Sequence, residues 1–368
     1  MNFTSVDPIS AGISPAGLAM AEEVINEGIG RELYPGAAAW VGRRGVTAFV
    51  HYIGYTDFSR KHAIGTNTLW DLASLTKPVA TAPSVLLLCQ DGHIHLGQSI
   101  AEFFPNRDLD HLSGITLRHL LTHTSGLPPY ADIYSDSQTR DDTIDKLFAL
   151  KPVADPGAAY VYSCLGYIML ALVVEAVAGV GLDEFARTRL FEPLGLRSTS
   201  FNPSCQGERD AAFAATDNSL RRMRPLYGEV HDEIAWAMGG VSGNAGLFST
   251  VQDLALFCHS VTFKNNLSII PPLGSAVMQQ IFSNALPESV GGQTLGWFIY
   301  PNEMMPGGDF VSKSAIGHSG FTGTAVVIDP KYELYMVFLT NRVCRNDDGK
   351  AFRNLRRRVF NAILGAIV

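Results

Sequence analysis

Ser74 and Lys77 stand three residues apart in Trp70-Asp71-Leu72-Ala73-Ser74-Leu75-Thr76-Lys77-Pro78, the sole Ser-x-x-Lys of the chain. A serine hydroxyl becomes a useful nucleophile only when something takes its proton. Residues i and i+3 share a helix face, so Lys77 reaches Ser74 Oγ if a helix starts there. Pro78 predicts that it does, because proline is tolerated only in a helix's first turn, where its missing N–H has no intrahelical partner anyway. Ser74 then sits at the positive end of the helix, where outward N–H groups can hold a developing oxyanion. The spacing alone is weakly specific, since any serine three residues before a lysine satisfies it.

Two other stretches offer groups suited to such a serine. Asp155-Pro156-Gly157-Ala158-Ala159-Tyr160-Val161-Tyr162-Ser163-Cys164-Leu165-Gly166-Tyr167 is a turn entering an apolar helix. Gly317-His318-Ser319-Gly320-Phe321-Thr322-Gly323-Thr324 leads into a strand.

The elements that must position these residues follow from periodicity and punctuation. Ser14-Pro15 opens a helix that ends near Gly28 to Gly30. Gly36 to Gly42 and Val46 to Ile53 form a hairpin around Arg43-Arg44-Gly45. The helix from Ser74 runs to about Gln90 and is expected to kink at Pro83. From Asp91 to about Gly292 the pattern is mostly helical segments and loops, with helices over Thr116 to Thr122, Gly166 to Ala178 and Leu254 to Ser260. Thr250-x-x-Asp253 reads as a capping box before the last of these. Strands return at Thr294 to Tyr300, Thr322 to Ile328 and Glu333 to Leu339, the last two joined by an Asp329-Pro330-Lys331-Tyr332 turn. In Ala351 to Val368, Phe352, Leu355, Val359, Ile363 and Ile367 share one helical face, and Arg353, Arg356, Arg357 and Arg358 read as its solvated side. The expected fold is α+β. Residues 1–90 and 293–368 build an antiparallel sheet flanked by helices, residues 91–292 form an inserted, mostly helical lobe, and Ser74 lies at their junction, where clefts often hold sites.

Taken in order, Ser74-x-x-Lys77, Tyr162-Ser163-Cys164 and His318-Ser319-Gly320 resemble the serine β-lactamase and penicillin-binding protein superfamily. The class C-like branch, with its D,D-peptidases, esterases and muropeptide amidases, is the most similar. Leu120-Leu121-Thr122-His123-Thr124-Ser125-Gly126-Leu127, Phe191-Glu192-Pro193-Leu194-Gly195-Leu196 and Gly246-Leu247-Phe248-Ser249-Thr250 extend the resemblance, which covers Gly36 to Asn341. It implies a β-lactamase/transpeptidase-like fold and gives roles to the residues. Ser74 is the nucleophile that is acylated, Lys77 sits buried beside it, and Tyr162 shuttles protons between Ser74, leaving group and water. The Ser74 and Phe321 N–H groups form the oxyanion hole. His318, Ser319, Gly320, Cys164 and His231 line the substrate side. Either Lys77 or Tyr162 is the base.

Two departures from the family pattern bear on the substrate. Cys164 stands where the pattern has asparagine, and a thiol is a weak donor and acceptor. His318 replaces the lysine of many β-lactamases, and a largely neutral histidine attracts a carboxylate less.

Other residues have plainer readings. A cysteine entering an apolar helix is usually core. His93-x-His95 and His231-Asp232 lack further ligands at metal spacing, so no metal is expected. His123 reads as a structural histidine. No Gly-x-Ser-x-Gly elbow occurs. At 46% hydrophobic and 17% charged residues, the composition is that of an ordinary globular protein. A net charge of -7 gives no reason to expect nucleic acid or an anionic membrane as partner. Cys89, Cys164, Cys205, Cys258 and Cys344 are scattered and odd in number, which points to reduced thiols. Met1 to Asp7 shows neither a basic nor an apolar signal region, and the Tyr167 to Leu182 run contains Glu175 and is too short to span a bilayer, so a cytoplasmic location is expected. No cofactor is called for, and the sequence assigns no oligomeric state.

These readings converge on a serine hydrolase cleaving an ester or amide, whether a cell-wall peptide, a β-lactam or a small ester, through an acyl-Ser74 intermediate. A true class C-like β-lactamase, a D,D-carboxypeptidase and a slow-releasing penicillin-binding sensor stand as alternatives.

Overall fold

The strands of the main sheet alternate cleanly between two cores. In β1 (Gly36–Arg43), Ala37, Ala39 and Val41 face one apolar cluster while Ala38 and Trp40 face another, and all eight residues are buried. The period of two along a strand requires this alternation, and burial of both faces requires an apolar layer on each side. The computed structural model describes residues 7–204, 209–216, 222, 224–263, 272–345 and 349–368. The Cys205 thiol and the signal-region reading over Met1 to Val6 lie outside them.

With β2 (Val46–Gly54), β1 forms the expected hairpin. The chain then makes two short strands of a second sheet, β3 (Trp70–Asp71) and β4 (Ser200–Phe201), which flank β5 (Leu247–Ser249). The main sheet is completed by β6 (Phe298–Ile299), β7 (Ile316–Ser319), β8 (Ala325–Asp329) and β9 (Leu334–Thr340), in the order β2-β1-β9-β8-β7-β6 and antiparallel throughout. β1 pairs with β9, so the two ends of the chain close one sheet. This is the expected α+β architecture.

Helix α1 (Pro15–Gly30), capped by Ser14 with proline at its first position, and the C-terminal helix Lys350–Gly365 cover one face. The opposite face packs on the helical region, which includes α2 (Ala82–Gln90), α3 (Leu117–Leu121), α4 (Arg140–Phe148) and α5 (Cys164–Ala178). Helix α5 is buried over most of its length, as its unbroken apolar run predicts. No single helix among the described residues is long and apolar enough to cross a membrane.

Several expectations need correction. The 294–300 strand shrinks to Phe298–Ile299, because Gly296, at φ 118°, turns the chain between Thr294 and Trp297. His318 lies inside β7 rather than ahead of a strand. The region 91–292 contains β4 and β5, whose two- and three-residue lengths leave no periodic signal. Thr250 does cap its helix, but the Asp253 carboxylate accepts from Ser198 N (2.7 Å) and Thr199 Oγ1 (2.9 Å) instead of closing a capping box. The arginines of the C-terminal helix are not uniformly solvated, since Arg356 Nε is wholly buried.

Candidate active site

Ser74 enters on a 3₁₀ turn, Ala73–Leu75, followed by a π-helical turn, Lys77–Thr81, and only then by α2. A helix does begin at Ser74, but its first two turns are irregular. Pro83 cannot donate to the carbonyl of Val79 and its ring would crowd it, so the strain expected as a kink is taken up by the wide π turn. Lys77, fully buried, points back along this turn with its Nζ 3.0 Å from Ser74 Oγ.

Ala73 holds a left-handed φ of 46°, a conformation that non-glycine residues sustain only where surroundings impose it. The cause is Asp71, buried two residues earlier. Its carboxylate accepts from Ala73 N (2.8 Å) and from His231 N (2.7 Å). Burial raises the Asp71 pKa, and these two N–H bonds oppose the rise.

The β7–β8 turn is fastened to the same segment. Thr322 Oγ1 donates to Asp71 O (2.7 Å) and Thr324 Oγ1 to Leu72 O (3.1 Å). A Cβ on Gly320 would lie 2.4 Å from Leu72 O, so turn and nucleophile segment are in direct backbone contact and only glycine fits. Phe321 follows at the tip, its ring 62% exposed and 5.5 Å from that of His231. The two residues whose N–H groups were expected to face an oxyanion are thus held in one stitched unit. Thr322→Val is expected to lower kcat for a small ester about 10–100-fold with little change in KM, and Thr322→Ser to restore it, because small misplacements of catalytic dipoles are costly. Unchanged kcat in Thr322→Val would show that the stitch does not set the geometry.

Lys77 Nζ also donates to Asn244 O (3.0 Å) and lies 3.5 Å from Cys164 Sγ. The Asn244 carbonyl is presented by the loop after Gly239-Gly240. That loop is held by Thr81 Oγ1, which donates to Gly243 O (2.7 Å). The Tyr162 phenol lies beside Lys77 and Ser74 and interacts with both, and Lys77 Nζ is 5.1 Å from the centre of its ring. Burial pulls the Lys77 pKa down, but the neighbouring Cys164 and Tyr162, anions once they lose their protons, raise it more, and the net shift is upward. Burial raises Tyr162 too, against the opposing pull of the Lys77 ammonium. The resting pair at neutral pH is therefore an ammonium and a phenol.

His318 is fully buried, stacked 4.2 Å from Phe298, with its ring 6.0 Å from that of Tyr162. Burial and the Lys77 charge push its pKa well below 6.5, so it faces the site neutral. His123 is the residue that sequence reasoning undervalued. Its ring lies 4.5 Å from that of Tyr162, its Nδ1 accepts from Ser163 N (3.1 Å), and its φ is 56°. It braces the tyrosine and the start of α5 together, and burial again keeps it neutral. Of the residues singled out from sequence, Ser74, Tyr162 and Cys164 gather around Lys77 Nζ, His318 lies beyond Tyr162, Ser319 and Gly320 carry the strand into the turn, and Phe321 and His231 form the rim. Asp71, Thr322, Thr324 and Asn244 were missed. Asp71 had one legible signal, an Asp whose side chain can bond the N–H two residues on. The others act through backbone carbonyls that are distant in sequence.

The arrangement can transfer an acyl group to a serine and release it to water. The family model described as Beta-lactamase matches residues 21–359. A relative from Escherichia coli (strain K12), named "Putative D-alanyl-D-alanine carboxypeptidase", is 31% identical over 304 residues, 75% of this chain and 70% of the relative. Among solved structures, EstCE1, described as a hydrolase with promiscuous acyltransferase activity, superposes with a TM-score of 0.76 at 20% identity, covering 94% of this chain and 99% of that one. A class C beta-lactamase does so with a TM-score of 0.73 at 18% identity, covering 95% and 96%.

Proposed function

This chain belongs to the Beta-lactamase family of serine hydrolases, and from that premise we propose that it cleaves an ester or amide bond through an acyl-Ser74 intermediate. The observation that carries the assignment is the contact of Lys77 Nζ with Ser74 Oγ at 3.0 Å beside the Tyr162 phenol. The Lys77–Tyr162 pair takes the Ser74 proton as Oγ attacks the carbonyl, and the Ser74 and Phe321 N–H groups hold the oxyanion. Tyr162 returns the proton to the leaving group, and water repeats the cycle to free the acid. His318, Cys164 and His231 line the path to Ser74, while Ser319, whose side chain turns to the other side of β7, and Gly320 carry the strand into the turn that bears Phe321.

The substrate class rests on the charge of this floor. Neutral His318 and the Cys164 thiol supply neither a cation for a carboxylate next to the scissile bond nor an amide for an acyl side chain. Small activated esters are the better substrates on this reading. Purified protein is expected to hydrolyse 4-nitrophenyl butyrate with kcat/KM about 10²-fold or more above that for a cephalosporin, an order of magnitude in line with losing one charge-assisted contact. Efficient cephalosporin hydrolysis contradicts this, and a β-lactam adduct that persists in intact mass spectra points to the sensor instead. The name of the Escherichia coli relative favours a second reading, a peptide ending in D-alanyl-D-alanine.

A further inference from the structure

Three successive arginines of the C-terminal helix have different fates. Arg357 is paired with Asp309 (Nε to Oδ1, 2.8 Å) and Arg358 with Glu27 (2.7 Å). Among the described residues no carboxylate forms an ion pair with Arg356, whose Nε is wholly buried without a hydrogen-bond partner. Its neighbours are cations. Arg356 and Arg342 lie over the ring of Phe352 at 5.9 and 5.8 Å, and Arg342 also lies 4.8 Å from the Phe321 ring. Guanidinium nitrogens of Arg342 and Arg353 both converge on Gly349, where a Cβ would meet them at 2.8 and 3.3 Å. Burial and the charges of Arg342 and Arg353 pull Arg356 down to about 10, so it still carries its full charge at neutral pH.

A buried charge without a partner is costly, and an anion that pairs with it relieves that cost. Aromatic faces ease the cost of burying a guanidinium but give Arg356 Nε no acceptor. Arg353, Arg356 and Arg357 line a cavity of about 340 Å³, with Met304, Met305 and Ser319 among its other walls. Glu303 is also on its rim, exposed to solvent and in no ion pair with Arg356. Ser319 follows His318 in β7, so its side chain turns to the other side of the strand from the imidazole. The cavity therefore adjoins the active-site strand without sharing its catalytic floor.

We propose that this cavity is an oxyanion-binding site, in which the Arg356 guanidinium, backed by Arg353 and with the Ser319 hydroxyl in its wall, takes a carboxylate or phosphate group. Planar guanidinium donors match both groups in bidentate fashion. The same chemistry fits a group on a distal part of the substrate or a separate small anion.

Calorimetric titration of inorganic phosphate and of glutarate into the Ser74→Ala protein tests the site independently of turnover. Saturable binding is expected, weakened at least tenfold by Arg356→Gln and unchanged by Arg358→Gln, which removes the same charge from the same helix outside the cavity. No binding, or equal weakening by both substitutions, overturns the site. Should Arg356→Gln fail to fold, melting of the native protein decides. Stabilisation by phosphate beyond that of chloride at equal ionic strength supports the site, and its absence overturns it. Arg356→Met is expected to melt higher than native protein in phosphate-free buffer, because it removes an uncompensated charge and keeps the apolar stem. In the active enzyme, phosphate that raises KM for an ester alone identifies a substrate group as the natural occupant, and phosphate that changes kcat identifies a separate anion.

Discussion

Ser74→Ala is expected to abolish ester turnover, a loss of at least about 10³-fold in kcat, and to abolish labelling by a fluorophosphonate. The substitution removes one hydroxyl from a partly exposed position and leaves intact the bonds that hold the segment, which run through Asp71, Thr76, Thr322 and Thr324. Melting should therefore be unchanged, and the loss assignable to chemistry. The rival nucleophile is Cys164, at the N-terminus of α5 and 3.5 Å from Lys77 Nζ. The two are told apart directly. If Ser74 is acylated, Cys164→Ala keeps the fluorophosphonate adduct and Ser74→Ala loses it, whereas the reverse pattern moves the nucleophile to the thiol. Ester turnover above about 1% of native in Ser74→Ala would sink the acyl-serine mechanism.

How much of this was legible in the sequence depended on the range of the interaction. The i, i+3 contact of Lys77 with Ser74 is local and follows from helix geometry, and it was read correctly although the turns around it are 3₁₀ and π rather than α. The β1–β2 hairpin, α1 and the apolar α5 likewise declare themselves by period and caps. The meeting of Tyr162 and His318 with Ser74 came from motif order alone, since nothing in composition brings residues 162 and 318 together. The stitch from Thr322 and Thr324 to residues 71 and 72 was invisible, because its acceptors are backbone carbonyls, which every residue has. Arg356 was misread for a related reason. A helical wheel places it on the polar side, and only the tertiary packing of Phe352, Arg342 and Arg353 around it reveals that its Nε is cut off from water.

Lys77 and Tyr162 together carry the second large effect, and its signature is in pH as well as in rate. Lys77→Met is expected to reduce kcat/KM for a small ester by about 10²–10⁴-fold, the range over which a positioned proton-transfer group contributes. Lys77→Arg is not expected to rescue it. The side chain is fully buried between Ser74, Asn244 and Cys164, and a wider guanidinium that stays charged can neither fit nor accept a proton. In the native protein both members of the pair are shifted upward, so at neutral pH both hold their protons and the competent form is the one that has lost one. The logarithm of kcat/KM should accordingly rise with a slope near one between about pH 6 and pH 9. Neither His123 nor His318 adds an inflection in that window, because burial holds each well below 6.5. Tyr162→Phe removes one of the groups that raise Lys77, so that burial is opposed mainly by Cys164 and the upward shift shrinks. The residual rate, lower by about 10²-fold or more, should then reach its plateau at a lower pH than in the native protein. A native profile that is flat from pH 6 to 9 would mean that the base is already free at neutrality, and a plateau that stays in place in Tyr162→Phe would mean that lysine and phenol do not share the proton.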